Sequence, residues 1–390
     1  MPTLIRITTV PVSLKLLLKG QMAFMKQNGF DIIMISSDGK EVKELIEQEG
    51  CDHFAVPFTR KINLLQDIIC VIKLIRIFKK LKPDIVHTHT PKAGLLGMLA
   101  AMLCNVPVRL HTVAGLPWLE TKGMLRWILK QMERLTVFAS SRVYLNSGNL
   151  KTILINESIS ERKLKVLGNG TSNGIDTNYY HLSDELAKNA TALRTKENIP
   201  ANAWVWIFAG RLVKDKGIGE LLESFQQIHL QYPDDRLWLL GNKEEELDPL
   251  HAEHKKLLQE HPAIHCWGFV NDVRPYFAAS QVLVFPSYRE GFPNVPLQAA
   301  AMQCMLLLSD INGCNEIVKH NVNGLLVPPK SVEDLTAAMF AARNNPIERS
   351  KFITAALNDV KEKYDQQTIR NLLLAEYNEL IAERKPQLAV

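Results

Sequence analysis

Two cations and a carboxylate stand out in the C-terminal half of this 390-residue chain. Arg211 follows Gly210, and Lys216 precedes Gly217, in the run Gly210-Arg211-Leu-Val-Lys-Asp-Lys216-Gly217. A guanidinium offers a planar fork to phosphate oxygens, and an ammonium adds a mobile point charge, so the pair suits a diphosphate. The carboxylate is Glu290, in the run Glu290-Gly291-Phe292-Pro293-Asn294. Gln298 lies eight positions further on and can both donate and accept hydrogen bonds. In the N-terminal half, His87-Thr-His89-Thr-Pro-Lys92 gathers three titratable or basic groups within six residues, and His111 follows. Such clusters are candidate sites. His87 and His89 share one face of a strand, but no third ligand or carboxylate is near, so no metal is expected.

These residues need elements to position them. Residues 282–285 form a short apolar run that reads as a buried strand. The Glu290 turn follows, and a helix is expected from Val295, with Asn294 as its N-cap and Pro296 in its first turn. A helix start presents unpaired N–H groups and partial positive charge, which favours an anion. Residues 204–208 read as another strand, leading into the Arg211–Lys216 turn and then a helix from about 218 to 229. Residues 84–87 and 106–113 read as strands that carry the histidines at their carboxyl ends. Helices are expected over 63–81, 94–104 and 366–384. Strand and helix alternate along the chain, which predicts parallel sheets covered on both faces. Residues 11–16 read as a loop after the first strand, and 181–202, polar and weakly periodic, as an interdomain linker.

Charge is uneven. The net charge is +5, but residues 1–180 hold 24 Lys+Arg against 14 Asp+Glu, a net of +10, while the remainder holds 22 against 27, a net of −5. A basic N-terminal half favours an anionic partner. Residues 118–135 combine Trp118 and Trp127 with Lys122, Arg126, Lys130 and Arg134. A basic amphipathic helix of this kind suits peripheral contact with an anionic membrane. No aromatic-basic signature or zinc-finger spacing is present, so nucleic acid is not expected as a partner. Six cysteines without a C-x-x-C pair suit reduced thiols in the cytoplasm. No signal peptide and no membrane-spanning segment is expected.

The Glu290 turn, with a polar residue eight positions after the glutamate, resembles the E-x7-E signature of family 4 glycosyltransferases. The Gly210-Arg211 and Lys216-Gly217 pairs, the turn Asn173-Gly174-Ile-Asp176, and Asn323-Gly-Leu-Leu-Val-Pro-Pro329 match the family too. The 87–94 stretch and the run Gly168-Asn-Gly170-Thr-Ser are similar to bacterial members that extend undecaprenyl-diphosphate-linked sugars for surface polysaccharide or protein glycans. The resemblance implies an α/β chain of GT-B fold, with two Rossmann-like domains facing across a cleft. Residues 1–180 would bind the acceptor, 181–368 the nucleotide sugar, and a C-terminal helix, 369–390, would return to the N-terminal domain.

It also implies a retaining, metal-independent glycosyltransferase with no cofactor, moving a sugar from a UDP-sugar donor to a polyprenyl-diphosphate-linked sugar acceptor at the inner face of the plasma membrane. Arg211, Lys216 and Glu290 would carry the reaction. Gly210, Gly291, Phe292, Pro293, Asn294, Gln298 and Asn173 would bind the donor, Gln298 at the ribose. His89, Lys92 and His111 are the acceptor-side candidates. The chain departs from the family pattern at three points: Gln298 replaces a glutamate, the 11–16 segment lacks glycine, and Ala114 stands where many members carry a histidine. Two other readings fit parts of this pattern: a sugar-nucleotide epimerase on the same fold, and a non-catalytic binder of lipid or partner. The first lacks a proton-abstracting cluster, and the second has no use for a diphosphate clamp.

Overall fold

The computed structural model describes residues 1–59, 62–119, 121–244 and 248–383. The chain divides into two units, Met1–Gly174 with Gln366–Val390, and Ile175–Asp365.

Unit 1 is built on seven parallel strands: β1 (Thr3–Ile7), β2 (Asp31–Ser36), β3 (Asp52–Ala55), β4 (Ile85–His89), β5 (Val108–Val113), β6 (Arg142–Leu145) and β7 (Leu164–Val166), in the order β3-β2-β1-β4-β5-β6-β7. Its helices are α1 (Pro11–Leu17), α2 (Gln21–Gln27), α3 (Val42–Glu49), α4 (Leu64–Leu81), α5 (Pro91–Leu103), α6 (Gly123–Ala139) and α7 (Gly148–Asn156). A parallel sheet needs cover on both faces. On one face, Ile5, Ile7, Ile33, Ile35 and Val86 pack with Leu74 and Phe78 of α4 and Leu96 and Ala100 of α5. On the other, Leu4, Ile32, Met34 and Ile85 pack with Met22 and Met25 of α2 and with Leu373 and Tyr377 near the C-terminus.

Unit 2 has six parallel strands: β8 (Val205–Ala209), β9 (Arg236–Leu240), β10 (Ile264–Gly268), β11 (Val282–Phe285), β12 (Met305–Ser309) and β13 (Leu325–Val327), in the order β10-β9-β8-β11-β12-β13. Its helices are α8 (Asp184–Lys196), α9 (Ile218–Gln231), α10 (Ala252–Glu260), α11 (Arg274–Ala278), α12 (Asn294–Ala301), α13 (Cys314–Ile317), α14 (Val332–Asn344) and α15 (Pro346–Lys363). From β8 the chain moves outward through β9 and β10, then returns to lay β11 on β8's other side. The carboxyl ends of β8 and β11 thus form the topological switch point, where open α/β sheets bind ligands.

The last helix, α16 (Gln366–Ala382), belongs to unit 1. Its Glu376 is buried and paired with Arg142 at 2.8 Å and with Lys165, and it accepts from the Tyr144 hydroxyl at 3.0 Å. Burial alone would push this carboxyl up; the hydrogen bonds from Lys165, Arg142 and Tyr144 outweigh it and hold the carboxyl below its usual range. The Arg384 end expected for this helix lies outside the described residues.

Three local expectations change. Residues 11–16 lie in α1, with Pro11 in the first turn, where its missing N–H is harmless. Residues 181–202 are not a linker: Ser183 caps α8 by accepting from the Leu186 N–H at 3.2 Å, and Leu186 and Ala190 enter the core of unit 2. The chain crosses between units at Gly174/Ile175 and Asp365/Gln366, earlier than the 180/181 and 368/369 boundaries expected. The reason is local: the Ile175 N–H donates to the Tyr364 carbonyl at 2.8 Å, and Thr177 Oγ1 donates to Asp365 at 2.7 Å.

Candidate active site

In unit 2 the residues singled out by type converge on the switch point. Lys216 ends a 3-10 turn, Lys214–Lys216, after β8. Its Nζ lies 2.6 Å from Glu290 Oε1 and 3.5 Å from Ser287 Oγ. Both charged side chains are mostly shielded, at 13% and 15% exposure. The two loops meet because Gly217 follows Lys216 in the left-handed region, at φ 67°, and a Cβ there would stand 2.1 Å from the Pro286 carbonyl. Only glycine fits this approach. A second clip lies alongside. Asp215 pairs with Arg289 at 2.6 Å, its carbonyl accepts from the Tyr288 N–H at 2.9 Å, and its own N–H donates to Asp248 at 2.7 Å. The sequence reading passed over Asp215 and Arg289, although each adjoins a residue it had chosen.

The Glu290–Asn294 loop is fixed from its other side. Asn312 Nδ2 donates to the carbonyls of Glu290 and Gly291, at 3.2 and 3.3 Å. Gly313, at φ 80°, leaves room for the Gly291 carbonyl, which a Cβ would approach to 2.3 Å. Phe292 packs on Tyr364, with ring centroids 5.6 Å apart. The expected N-cap shifts by one residue: Pro293 is the cap of α12, Asn294 is the first helical residue, and no side chain caps the first turn. With its carbonyls turned toward Asn312, the loop leads into a helix start that carries the partial positive charge of the backbone dipoles.

Arg211 pairs with Glu244 at 2.8 Å and is about half exposed. Gly210 precedes it, and its N–H donates to the Leu240 carbonyl at 2.8 Å. Gln298, four residues into α12, donates through Nε2 to the Tyr180 hydroxyl at 2.9 Å. Tyr180 was not foreseen. The available signal was its place four residues after Asp176 in the turn that opens unit 2.

This arrangement can hold an anion without a metal. Each cation already has a carboxylate partner, and an incoming diphosphate competes for both. Lys216 has three donors and can keep Glu290 while engaging a phosphate oxygen. Glu290 is left with one oxygen beyond the ion pair to accept from a hydroxyl. Among the described residues, no group of three or more His, Cys, Asp or Glu is placed to hold a metal ion.

The remaining candidates belong to unit 1. His89 is buried, with Nε2 2.9 Å from Arg6 Nη2. His87 is occupied at both nitrogens, by the Tyr377 hydroxyl at 2.6 Å and Thr112 Oγ1 at 2.7 Å. Arg6, itself buried, donates to Tyr377 at 2.5 Å and to Gln21. Burial first, then the positive charge of Arg6, holds His89 well below the ordinary imidazole range, so it is neutral at physiological pH. His111 Nδ1 lies 2.8 Å from Thr88 Oγ1, and its ring packs on Gly94, where a Cβ would stand 2.3 Å away. Burial lowers His111 to about 4. Lys92 pairs with Asp67 at 2.8 Å. Asn173 is buried in unit 1, donating to the Lys19 carbonyl at 3.0 Å and accepting from Gln21 Nε2 at 3.2 Å. His87, His89 and Asn173 belong to one buried polar network, whose other members, Arg6, Gln21, Thr112 and Tyr377, carried no sequence signal.

Comparison with known proteins gives a consistent picture. Residues 203–345 match a family model described as glycosyl transferases group 1, and residues 10–147 match one described as glycosyl transferase 4-like. The capsular polysaccharide biosynthesis glycosyltransferase CapM of Staphylococcus aureus is 30% identical over 94% of this chain and 94% of its own length. The UDP-Gal:alpha-D-GlcNAc-diphosphoundecaprenol alpha-1,3-galactosyltransferase of Escherichia coli is 27% identical over 82% and 81%. Among solved structures, Anabaena HepE in complex with UDP superposes with a TM-score of 0.81 at 20% identity, covering 97% of this chain and all of that one. That likeness speaks for the fold.

Proposed function

We propose, for a chain that belongs to the family 4 glycosyltransferases of GT-B fold, that it moves a sugar from a UDP-sugar to a sugar on a polyprenyl diphosphate, with retention of anomeric configuration and without a metal. The observation that carries this reading is the shielded Lys216–Glu290 pair at the switch point of unit 2, with Arg211 on the adjoining turn. Lys216 and Arg211 hold the diphosphate and stabilise the charge that grows as it leaves. Glu290 accepts from hydroxyls of the donor sugar. Gln298 meets the ribose, and the first turn of α12 faces phosphate. The anomeric carbon–oxygen bond to the diphosphate breaks as the acceptor oxygen bonds on the same face. The acceptor proton passes to the leaving phosphate oxygen, so no side-chain nucleophile is required.

The curated relatives support donor and acceptor class, since the E. coli enzyme's name specifies a UDP-sugar and a diphosphoundecaprenol-linked acceptor. Among the described residues, no helix is long and apolar enough to cross a membrane. Contact with the bilayer is therefore peripheral in this reading. Of the 118–135 segment, Trp118 is buried in a 3-10 turn and takes no part, whereas Met124 and Trp127 of α6 are exposed at 72% and 59%. The test is transfer from a panel of UDP-sugars to an undecaprenyl-diphosphate-linked sugar in the presence of EDTA. The product's anomeric coupling constants are then read by NMR. A retained linkage formed with EDTA is expected; inversion, or a strict metal requirement, overturns the mechanism.

A further inference from the structure

Helix α4 is apolar on two sides. One side, through Cys70, Leu74, Ile77 and Phe78, packs into the core of unit 1. The other has no partner among the described residues. Leu64, Leu65, Ile68, Ile69 and Ile72 are exposed at 75%, 77%, 57%, 51% and 44%. At about 100° per residue these five, with Lys73, Arg76, Lys79 and Lys80, fall within one half of the helical wheel. The exposed side thus reads as an aliphatic first half followed by a basic second half, along a helix of 18 residues. Folding gains nothing from five exposed aliphatics on three turns, and clusters of this kind mark contact sites. The acid on this helix, Asp67, is spent on Lys92, and Lys73, Arg76, Lys79 and Lys80 form no ion pair among the described residues.

We infer that this side of α4 is a bilayer-docking face, inserting its aliphatic half among lipid chains and setting its basic half against anionic headgroups. Charge favours a membrane over a second copy of the chain, because a like copy would bring one basic stripe against another. Position favours it too. The Asp67–Lys92 ion pair pins the first turn of α4 to the start of α5, just past the carboxyl end of β4. The aliphatic half therefore sits at the sheet edge of unit 1 where a ligand would enter, and docking there sets that edge against the lipid surface. Helices α4 and α6 both pack on α5, so the exposed Trp127 lies on the same side of the sheet. This deepens the membrane contact proposed above and assigns its apolar anchor to α4 rather than α6.

The experiment is co-sedimentation of the full chain with vesicles of phosphatidylcholine alone and of phosphatidylcholine with phosphatidylglycerol. Wild type is compared with Leu65→Glu/Ile69→Glu in α4 and Trp127→Glu in α6. The substituted side chains are exposed, and thermal melts confirm that each variant folds. We expect wild type to bind the anionic vesicles, with binding weakened by salt, and the α4 variant to bind at least about tenfold more weakly, Trp127→Glu losing less. Wild-type binding by the α4 variant alongside loss in Trp127→Glu would overturn the assignment and leave α6 as the contact. Absence of vesicle binding by wild type would sink the membrane reading as a whole. A wild-type dimer that the α4 variant converts to monomer, with no vesicle binding, would show that a second copy covers the face. Transfer to a water-soluble acceptor with a truncated lipid is read alongside and is unchanged in the α4 variant, so failure of docking is separable from failure of catalysis.

Discussion

Lys216 and Glu290 neutralise each other across two loops, and replacing either leaves its partner charged in a shielded site. Lys216→Ala is expected to lower kcat/KM by about two to three orders of magnitude, as loss of a preorganised charge-stabilising donor does elsewhere. Lys216→Arg restores little, because the longer planar fork does not fit a point-charge position. Steady-state kinetics with the preferred UDP-sugar checks both. Gln298 gives a subtler test. Its Nε2 is engaged by Tyr180, which leaves the carbonyl oxygen as the acceptor for the ribose contact proposed above. Tyr180→Phe frees the amide to turn, and roughly threefold to tenfold weaker UDP binding is expected. Gln298→Glu, an acceptor whichever way it turns, should bind UDP independently of Tyr180. Equal affinity of Tyr180→Phe and wild type would remove Tyr180 from the site. That Arg211, Lys216 and Glu290 stand on loops beside the switch point was legible, because a Gly-flanked turn between strand and helix leaves few places for a polar side chain to point. The burial of His89 and His111 was not. Strand alternation shows that neighbours share a face, but in a sheet covered on both sides either face is interior.

At the scale of elements, α6 carries a buried acid with a measurable consequence. Glu133 faces inward, its Oε1 lacks a hydrogen-bond partner among the described residues, and burial pushes its carboxyl up to about 7 from 4.5. A raised folded-state pKa in an acid means that the native state binds a proton the unfolded chain releases. Stability therefore falls as pH rises from 4.5 toward 7. Glu133→Gln removes the effect. It should raise stability at pH 8 by up to about 3 kcal/mol and change little near pH 4.5, as read by thermal melts across pH. The elements that the sequence concealed share a cause. Helices α1 and α8 are short or polar, with two buried residues each, so their apolar period is faint. What marks them is capping chemistry: Pro11 in the first turn of one and Ser183 before the other. By contrast, β11 and α12 stand out by an unbroken apolar run and a helix-forming run of alanines.

For the whole molecule, α16 is the element whose sequence position and spatial position differ most. The chain leaves unit 1 at Gly174 and returns at Gln366, so the helix completes a core begun far upstream. Tyr377 bonds Arg6 and His87, and Glu376 gathers Arg142 and Lys165. Glu376→Gln should cost about 1–3 kcal/mol, less than a fully buried pair because both cations are partly exposed. That loss should shrink as pH falls below about 4.5, where the unfolded carboxyl takes up its proton. Denaturant titrations at two pH values check the trend. The twofold recurrence of strand and helix predicted two parallel-sheet units, and two are found. The boundaries slipped by a few residues because backbone bonds at Ile175 and Tyr364, invisible to composition, decide where the chain crosses.

The central claim, a nucleotide-sugar site on unit 2, is tested most directly by calorimetric titration of UDP, with GDP as control, into wild type and Lys216→Ala. Micromolar UDP binding that is abolished by the substitution, with GDP much weaker, is the predicted result. UDP bound equally well by both proteins, or by neither, would contradict it.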